Sequence, residues 1–313
     1  MPVDRPPLLL LHGISSRETV FWHPARQCLG RFLEPSCRLL TGRLRWGRPA
    51  AGGRGGSGNW DFDAHLAEDL PAIWAEACAV AGRPPAVLGY SMGGMLALLA
   101  QARGLIAAPA LVLLAVPVAF PAIAFYPPLM RRVYDLARRW GWPRIPTRLL
   151  GRLVIWLFAG GRPSRIGPGL RLFHAQIRGA GVDVPPATLG QATAWVETGR
   201  FCDRTGRRDL LSELGGVAVP ALFLAGSADR IAPPEVMRRG FETVSSAVRR
   251  FEVIAGGDHL NLVNGPLAAE VAMWVTRWLD GHLAWRETGV SSRHPGGPGG
   301  LPTACRSEPR GGR

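Results

Sequence analysis

Short, continuous apolar runs separated by polar, glycine-rich turns dominate the pattern of this chain. Runs at 8–11, 86–88, 110–116 and 219–225 carry almost no polar residue, which is how a strand buried on both faces reads. Together with weaker signals at 36–40 and 251–255 they predict six strands. Between them the spacing changes to that of helices. Residues 95–102 form a helix-like run directly after the third strand. Pro71 fits only the first turn of a helix, and the acidic residues before it suit the positive end of that helix. Pro266 opens a closing helix in which Val271, Trp274, Val275, Trp278 and Leu279 recur on one face as core packing. Residues 95–125 are nearly free of charge, but Pro109, Pro117 and Pro121 interrupt them, so a buried helix followed by a buried strand fits better than a membrane span.

The chemistry gathers at the ends of the apolar runs. Gly89-Tyr90-Ser91-Met92-Gly93 joins a strand to a helix, the context in which a G-x-S-x-G match acquires meaning. Such a turn holds its serine in a strained backbone conformation, and side chains at the flanking positions would collide with the neighbouring strand or helix. Ser91 is therefore expected to stand exposed at the carboxyl end of a parallel sheet. A serine hydroxyl is a poor nucleophile near neutral pH and needs a histidine to take its proton; the histidine needs a carboxylate to fix its tautomer. His259 and Asp229 follow apolar strands, as that task requires. Asp203 and Asp209 lie outside a strand-to-loop context, and Asp258 adjoins His259 too closely to reach its outer ring nitrogen.

The order His12-Gly13, Ser91, Asp229, His259 resembles the α/β-hydrolase superfamily over roughly residues 8–118 and 217–284. The resemblance implies a mostly parallel α/β sheet flanked by helices, with 1–118 and 217–285 as the core and 119–216 as a helical lid. It implies Ser91, Asp229 and His259 as catalytic residues and the amides of Met92 and Ile14 as oxyanion donors, with His12 shaping the oxyanion loop. A full fold of this superfamily carries two strands before the one ending in His-Gly, yet only seven residues precede Leu8, so either the sheet is shortened or the chain starts late. Trp60-Asp61-Phe62-Asp63 and Asp69-Leu70-Pro71-Ala72, together with Asp258-His259-Leu260-Asn261-Leu262-Val263 followed by Pro266, look like the acid-lipase branch and its bacterial relatives. The neighbouring polyhydroxyalkanoate synthases carry cysteine at the elbow, and haloalkane dehalogenases and epoxide hydrolases carry aspartate. Ser91 disfavours all three.

The activity expected from these residues is hydrolysis of a carboxylic ester or thioester with an apolar acyl part, through an acyl-enzyme. An acyltransferase on the same residues is the first alternative, and a non-catalytic domain that binds membranes or lipids is the second. Composition adjusts this picture at its edges. The 313 residues suffice for one large domain with an insertion, and 47% hydrophobic residues favour a globular enzyme. All 37 basic residues are arginine, and the net charge of +14 leaves room for peripheral contact with an anionic membrane; no nucleic-acid motif accompanies it. Cys28, Cys37, Cys78, Cys202 and Cys305 show no C-x-x-C spacing and read as reduced thiols. Neither a metal-ligand cluster nor a dinucleotide fingerprint appears, so no cofactor and no metal are expected. No signal-length apolar stretch opens the chain, which makes the cytoplasm the expected location. Within the lid, residues 148–159 are apolar enough to line an acyl tunnel or rest on a membrane face. The segment 43–58 reads as an exposed loop, and 286–313 as a disordered Gly/Pro/Arg tail.

Overall fold

Six parallel strands make the sheet of this computed structural model, which describes residues 5–23, 27–45, 60–120, 126–148 and 179–283. They are β1 (Pro7–Leu11), β2 (Arg38–Gly42), β3 (Ala86–Tyr90), β4 (Leu111–Leu114), β5 (Ala221–Gly226) and β6 (Arg249–Ile254), in the order β2-β1-β3-β4-β5-β6. Parallel neighbours need crossovers, and helices supply them: α1 (Leu29–Leu33), α2 (Leu70–Ala81), α3 (Met92–Ala102), α4 (Tyr126–Arg139), α5 (Pro186–Thr198) and α6 (Pro234–Thr243); α7 (Ala268–His282) follows the last strand. The four inner strands, β1, β3, β4 and β5, are buried at every position, which is why they read as unbroken apolar runs. The outer two are exposed in part, and there the sequence reading slipped by two residues. Ser36 and Cys37 donate their amides to Leu33 O and finish the turn after α1, so β2 starts at Arg38 rather than Ser36. At the other edge β6 begins at Arg249, because two solvent-facing arginines precede the apolar part of the strand.

The helix around Pro71 also differs in part from expectation. The α-helix starts at Leu70 with Pro71 in its first turn, as expected, but the chain ahead of it is already helical. A short α turn (Phe62–Ala64) runs into a π-helical stretch (His65–Asp69), with the Leu70 N–H reaching back to His65 O, and α2 continues from it. The widened turn places Pro71, which has no N–H, where the helical ladder is already interrupted. Asp69 is consequently no dipole partner at a free helix end. It is buried, accepts from the Arg45 amide at 3.0 Å, and pairs with the Arg45 guanidinium and with His65 Nδ1 at 2.7 Å. Burial alone would raise its pKa; the His65 and Arg45 hydrogen bonds outweigh that and hold it below the ordinary carboxylate range.

The central helix α3 is buried over residues 92–100, and no helix among the described residues is long and apolar enough to cross a membrane. In α7, Val271, Val275, Trp278 and Leu279 face the core. Between β4 and β5 the described residues contain helices and isolated bridges but no strand. The apolar stretch 149–159, most of the loop 43–58 and the tail 286–313 lie outside the described residues. Cys28, Cys37, Cys78 and Cys202 are buried and form no disulfide among the described residues, and burial pushes the Cys37 thiol up to about 12, far from a reactive thiolate.

Candidate active site

Ser91 sits between β3 and α3 at φ 53 and ψ −124, a conformation side-chain-bearing residues rarely hold. The geometry around it depends on absent side chains. A Cβ on Gly93 would stand 2.6 Å from the Leu11 carbonyl carbon and 2.7 Å from the His12 carbonyl oxygen, both backbone atoms of β1 and the loop after it. On Gly89 it would press on Gly93 O and on the Gly94 amide. Gly93→Ala is therefore expected to push α3 off β1, costing about 1–3 kcal/mol. It should also disable the site, since a misplacement of about 1 Å at reacting groups costs on the order of 100-fold in rate. Thermal denaturation and ester hydrolysis of the variant together check this.

Two loops converge on the serine. His259 Nε2 lies 3.0 Å from Ser91 Oγ, and His259 Nδ1 lies 2.8 Å from Asp229 Oδ2. A carboxylate only accepts, so Nδ1 carries the proton and Nε2 presents its lone pair to the serine hydroxyl. The other oxygen of Asp229 accepts the amides of Ile231 at 2.8 Å and Ala232 at 2.9 Å. Burial by itself would raise the Asp229 pKa. The His259 charge and hydrogen bond, with the two amides, outweigh it and keep the carboxyl below its ordinary value.

The histidine loop is braced from both sides. Asp258 Oδ1 accepts the amides of Leu260 and Asn261, while Asn261 Oδ1 accepts the Asp258 amide at 2.7 Å. The Tyr90 hydroxyl donates to the His259 carbonyl at 2.7 Å, and its ring lies 5.3 Å from the imidazole. Asp203 accepts from the amides of Arg207 and Arg208 in an exposed turn, and Asp209 caps the short helix Leu210–Glu213. Neither approaches His259.

The loop after β1 is fixed by His12. The Leu44 N–H donates to His12 Nε2 at 3.3 Å, so the ring proton is on Nδ1, 3.0 Å from Gly13 O. Ser16 Oγ donates to the same carbonyl at 2.9 Å. Gly13 C=O and Ile14 N–H share one peptide plane and point opposite ways. Anchoring the oxygen thus sets the direction of the Ile14 amide. Burial drives the His12 pKa down to about 4, which keeps the ring neutral and able to accept from Leu44. Met92 is the first residue of α3, where amides have no acceptor within the helix.

One expectation is corrected here. Ser91 sits at the carboxyl end of the sheet but is buried, with 5% of its surface exposed, rather than exposed there. Gly13 packs on its Cβ, and His259 covers the hydroxyl. The structure brings Ser91, Asp229 and His259 together, with Met92 beside the serine and Ile14 on the loop that packs on it. Tyr90, Ser16, Leu44 and Asn261 were not foreseen. Only Tyr90 had a sequence signal, its place inside the elbow. Among the described residues no group of histidines, cysteines and carboxylates is placed to hold a metal.

Several solved structures share this architecture at low identity. A thermophilic esterase from Thermogutta terrifontis is 20% identical, with 88% of this chain and 90% of that one aligned at a TM-score of 0.57. For a monoacylglycerol lipase from Paleococcus ferrophilus the values are 17%, 89%, 96% and 0.56; for a bromoperoxidase from Bacillus anthracis they are 16%, 88%, 92% and 0.57. At such identities the likeness is one of fold. No curated protein matches the chain significantly in sequence. The model of the alpha/beta hydrolase family matches residues 8–273, and the chain belongs to that family.

Proposed function

We propose that the protein is a serine hydrolase that cleaves a carboxylic ester or thioester with an apolar acyl group. The observation that carries this reading is the contact chain Ser91 Oγ, His259 Nε2, His259 Nδ1, Asp229 Oδ2, at 3.0 and 2.8 Å. Ser91 Oγ attacks the carbonyl carbon while its proton passes to His259 Nε2, and Asp229 stabilises the imidazolium that results. The amides of Met92 and Ile14 receive the oxyanion; each such donor is worth about 100- to 1,000-fold in rate. Collapse of the tetrahedral species expels the alcohol or thiol, which takes the proton from Nε2. Water then attacks the acyl-enzyme, gives its proton to His259 and releases the carboxylic acid with Ser91 restored.

Residues 119–216 serve as the lid in this reading. The apolar character of the acyl group rests on the apolar lid sequence, residues 148–159 above all; the rings of Phe62, Phe120, Trp195 and Phe201, 5.1 to 6.2 Å apart, pack α5 onto the core. In the segment Trp60-Asp61-Phe62-Asp63 the side chains hold the local fold. Asp61 caps the turn after it, Trp60 stacks on Arg45, and Asp63 accepts the Arg204 amide. Treatment with a fluorophosphonate should add one organophosphoryl group to Ser91, found by peptide mass spectrometry. An unlabelled protein, or a label elsewhere, would sink the hydrolase assignment.

A further inference from the structure

We propose that the carboxyl end of α4 is a membrane-docking face whose partner is an anionic lipid bilayer. The helical turn runs one residue past α4, since the Trp140 N–H donates to Leu136 O at 3.0 Å. Gly141, at φ 62, then reverses the chain, and the Trp142 N–H returns to Ala137 O. The two tryptophans part at this reversal. Trp142 packs against the core, whereas Trp140 is 69% exposed, more than any other large apolar side chain described. Leu136, one turn earlier and on the same face, is 44% exposed, while Ala137, next in the chain and turned toward the core, is fully buried.

Charge completes the face. Arg132, Leu136, Arg139 and Trp140 follow at helical spacing on the solvent side. Arg131 pairs with both Asp135 and Glu197 and so takes up the nearby acids, leaving Arg132, Arg138 and Arg139 without a carboxylate partner among the described residues. A tryptophan and a leucine in water between arginines match an interface of headgroups over hydrocarbon: the indole and the isobutyl group enter the acyl boundary as the guanidinia meet phosphates. A second copy fits poorly, because a two-fold contact would bring two arginine clusters face to face. A nucleic-acid backbone would leave Leu136 without an apolar partner.

The face is tied to the site. Ile145 bridges Val184, and Thr147 Oγ1 donates to Val182 O at 2.6 Å. One rung further, Val182 N–H donates to Ser15 O and Arg17 N–H to Ala180 O, on the loop that carries Ile14. Docking would thus hold the candidate active site near a bilayer, where apolar esters partition. That consequence rests on the hydrolase reading; the docking itself does not.

Flotation of the full chain with vesicles tests the face, comparing pure phosphatidylcholine with a mixture one-third phosphatidylglycerol, at low and high salt. Binding should require the anionic lipid and weaken with salt. Leu136→Ser/Trp140→Ser should lower it at least tenfold, and Arg132→Gln/Arg139→Gln should lower it by about fivefold per arginine. All four side chains are exposed, so melting temperatures should hold. Ser91→Ala should bind like the natural protein, which separates this test from any failure of the hydrolase reading. Absence of vesicle binding, or variants that bind like the natural protein, would overturn the proposal. So would loss of a dimer or of nucleic-acid retention in the variants without loss of vesicle binding.

Discussion

Replacing Ser91 by alanine is expected to lower kcat for p-nitrophenyl esters by on the order of a million-fold. The size follows from the geometry. His259 Nε2 faces Ser91 Oγ at 3.0 Å, and without that oxygen the base has no nucleophile to activate. Residual acceleration of about a thousand- to ten-thousand-fold over water should survive, because binding and the oxyanion amides are untouched. KM should change little for the same reason. Alanine keeps a Cβ, so the strained backbone at φ 53 is no easier or harder to hold, and the fold should survive. A series of esters from acetate to palmitate, run on both proteins, gives the chain-length preference together with the test. Activity that persists in the variant would remove Ser91 as nucleophile. Acyl transfer to added alcohols with little release of free acid would move the reading to an acyltransferase on the same residues.

What could be read from the chain follows from where information is local. β1, β3, β4 and β5 were legible because a strand buried on both faces must be apolar throughout. The boundaries of β2 and β6 were not, because arginines on an edge strand look like loop. Ser91 and Asp229 were legible because each follows a buried strand, and His259 because it follows the apolar end of the edge strand β6. Tyr90 bracing the carbonyl of His259 is different. It joins residues 169 positions apart, and no local rule selects that partner. The same holds for Leu44, whose amide determines the tautomer of His12 from 32 positions away. The burial of Ser91 depends on how two loops pack on the elbow, again a tertiary fact. Pro71 sits in the first turn of α2, as the local rule requires, but the π turn that leads into it has no local signal in the sequence.

Asp229→Asn should reduce kcat by about ten-thousand-fold while the protein stays folded, the behaviour of a carboxylate that sets a tautomer. Two backbone amides make this prediction sharp. Ile231 N–H and Ala232 N–H both donate to one carboxylate oxygen, and an asparagine in this place must turn its carbonyl oxygen toward them. Its NH2 then faces His259 Nδ1, which has to accept. The ring proton moves to Nε2 and points at Ser91, where a lone pair is needed. Asp229→Ala would be a poorer test, since it leaves two buried amides without an acceptor at about 1–3 kcal/mol each. The pH dependence has a definite sign. The folded pKa of Asp229 lies below its unfolded value of about 3.9, so its contribution to stability is present above that value. It is lost as pH falls through the folded pKa. The asparagine variant lacks the contribution at every pH, and the gap in melting temperature between the two proteins should close on acidification. If the variant retained near-natural kcat, His259 would take its orientation from the Tyr90 and Asn261 contacts alone, and the carboxylate would be a structural brace.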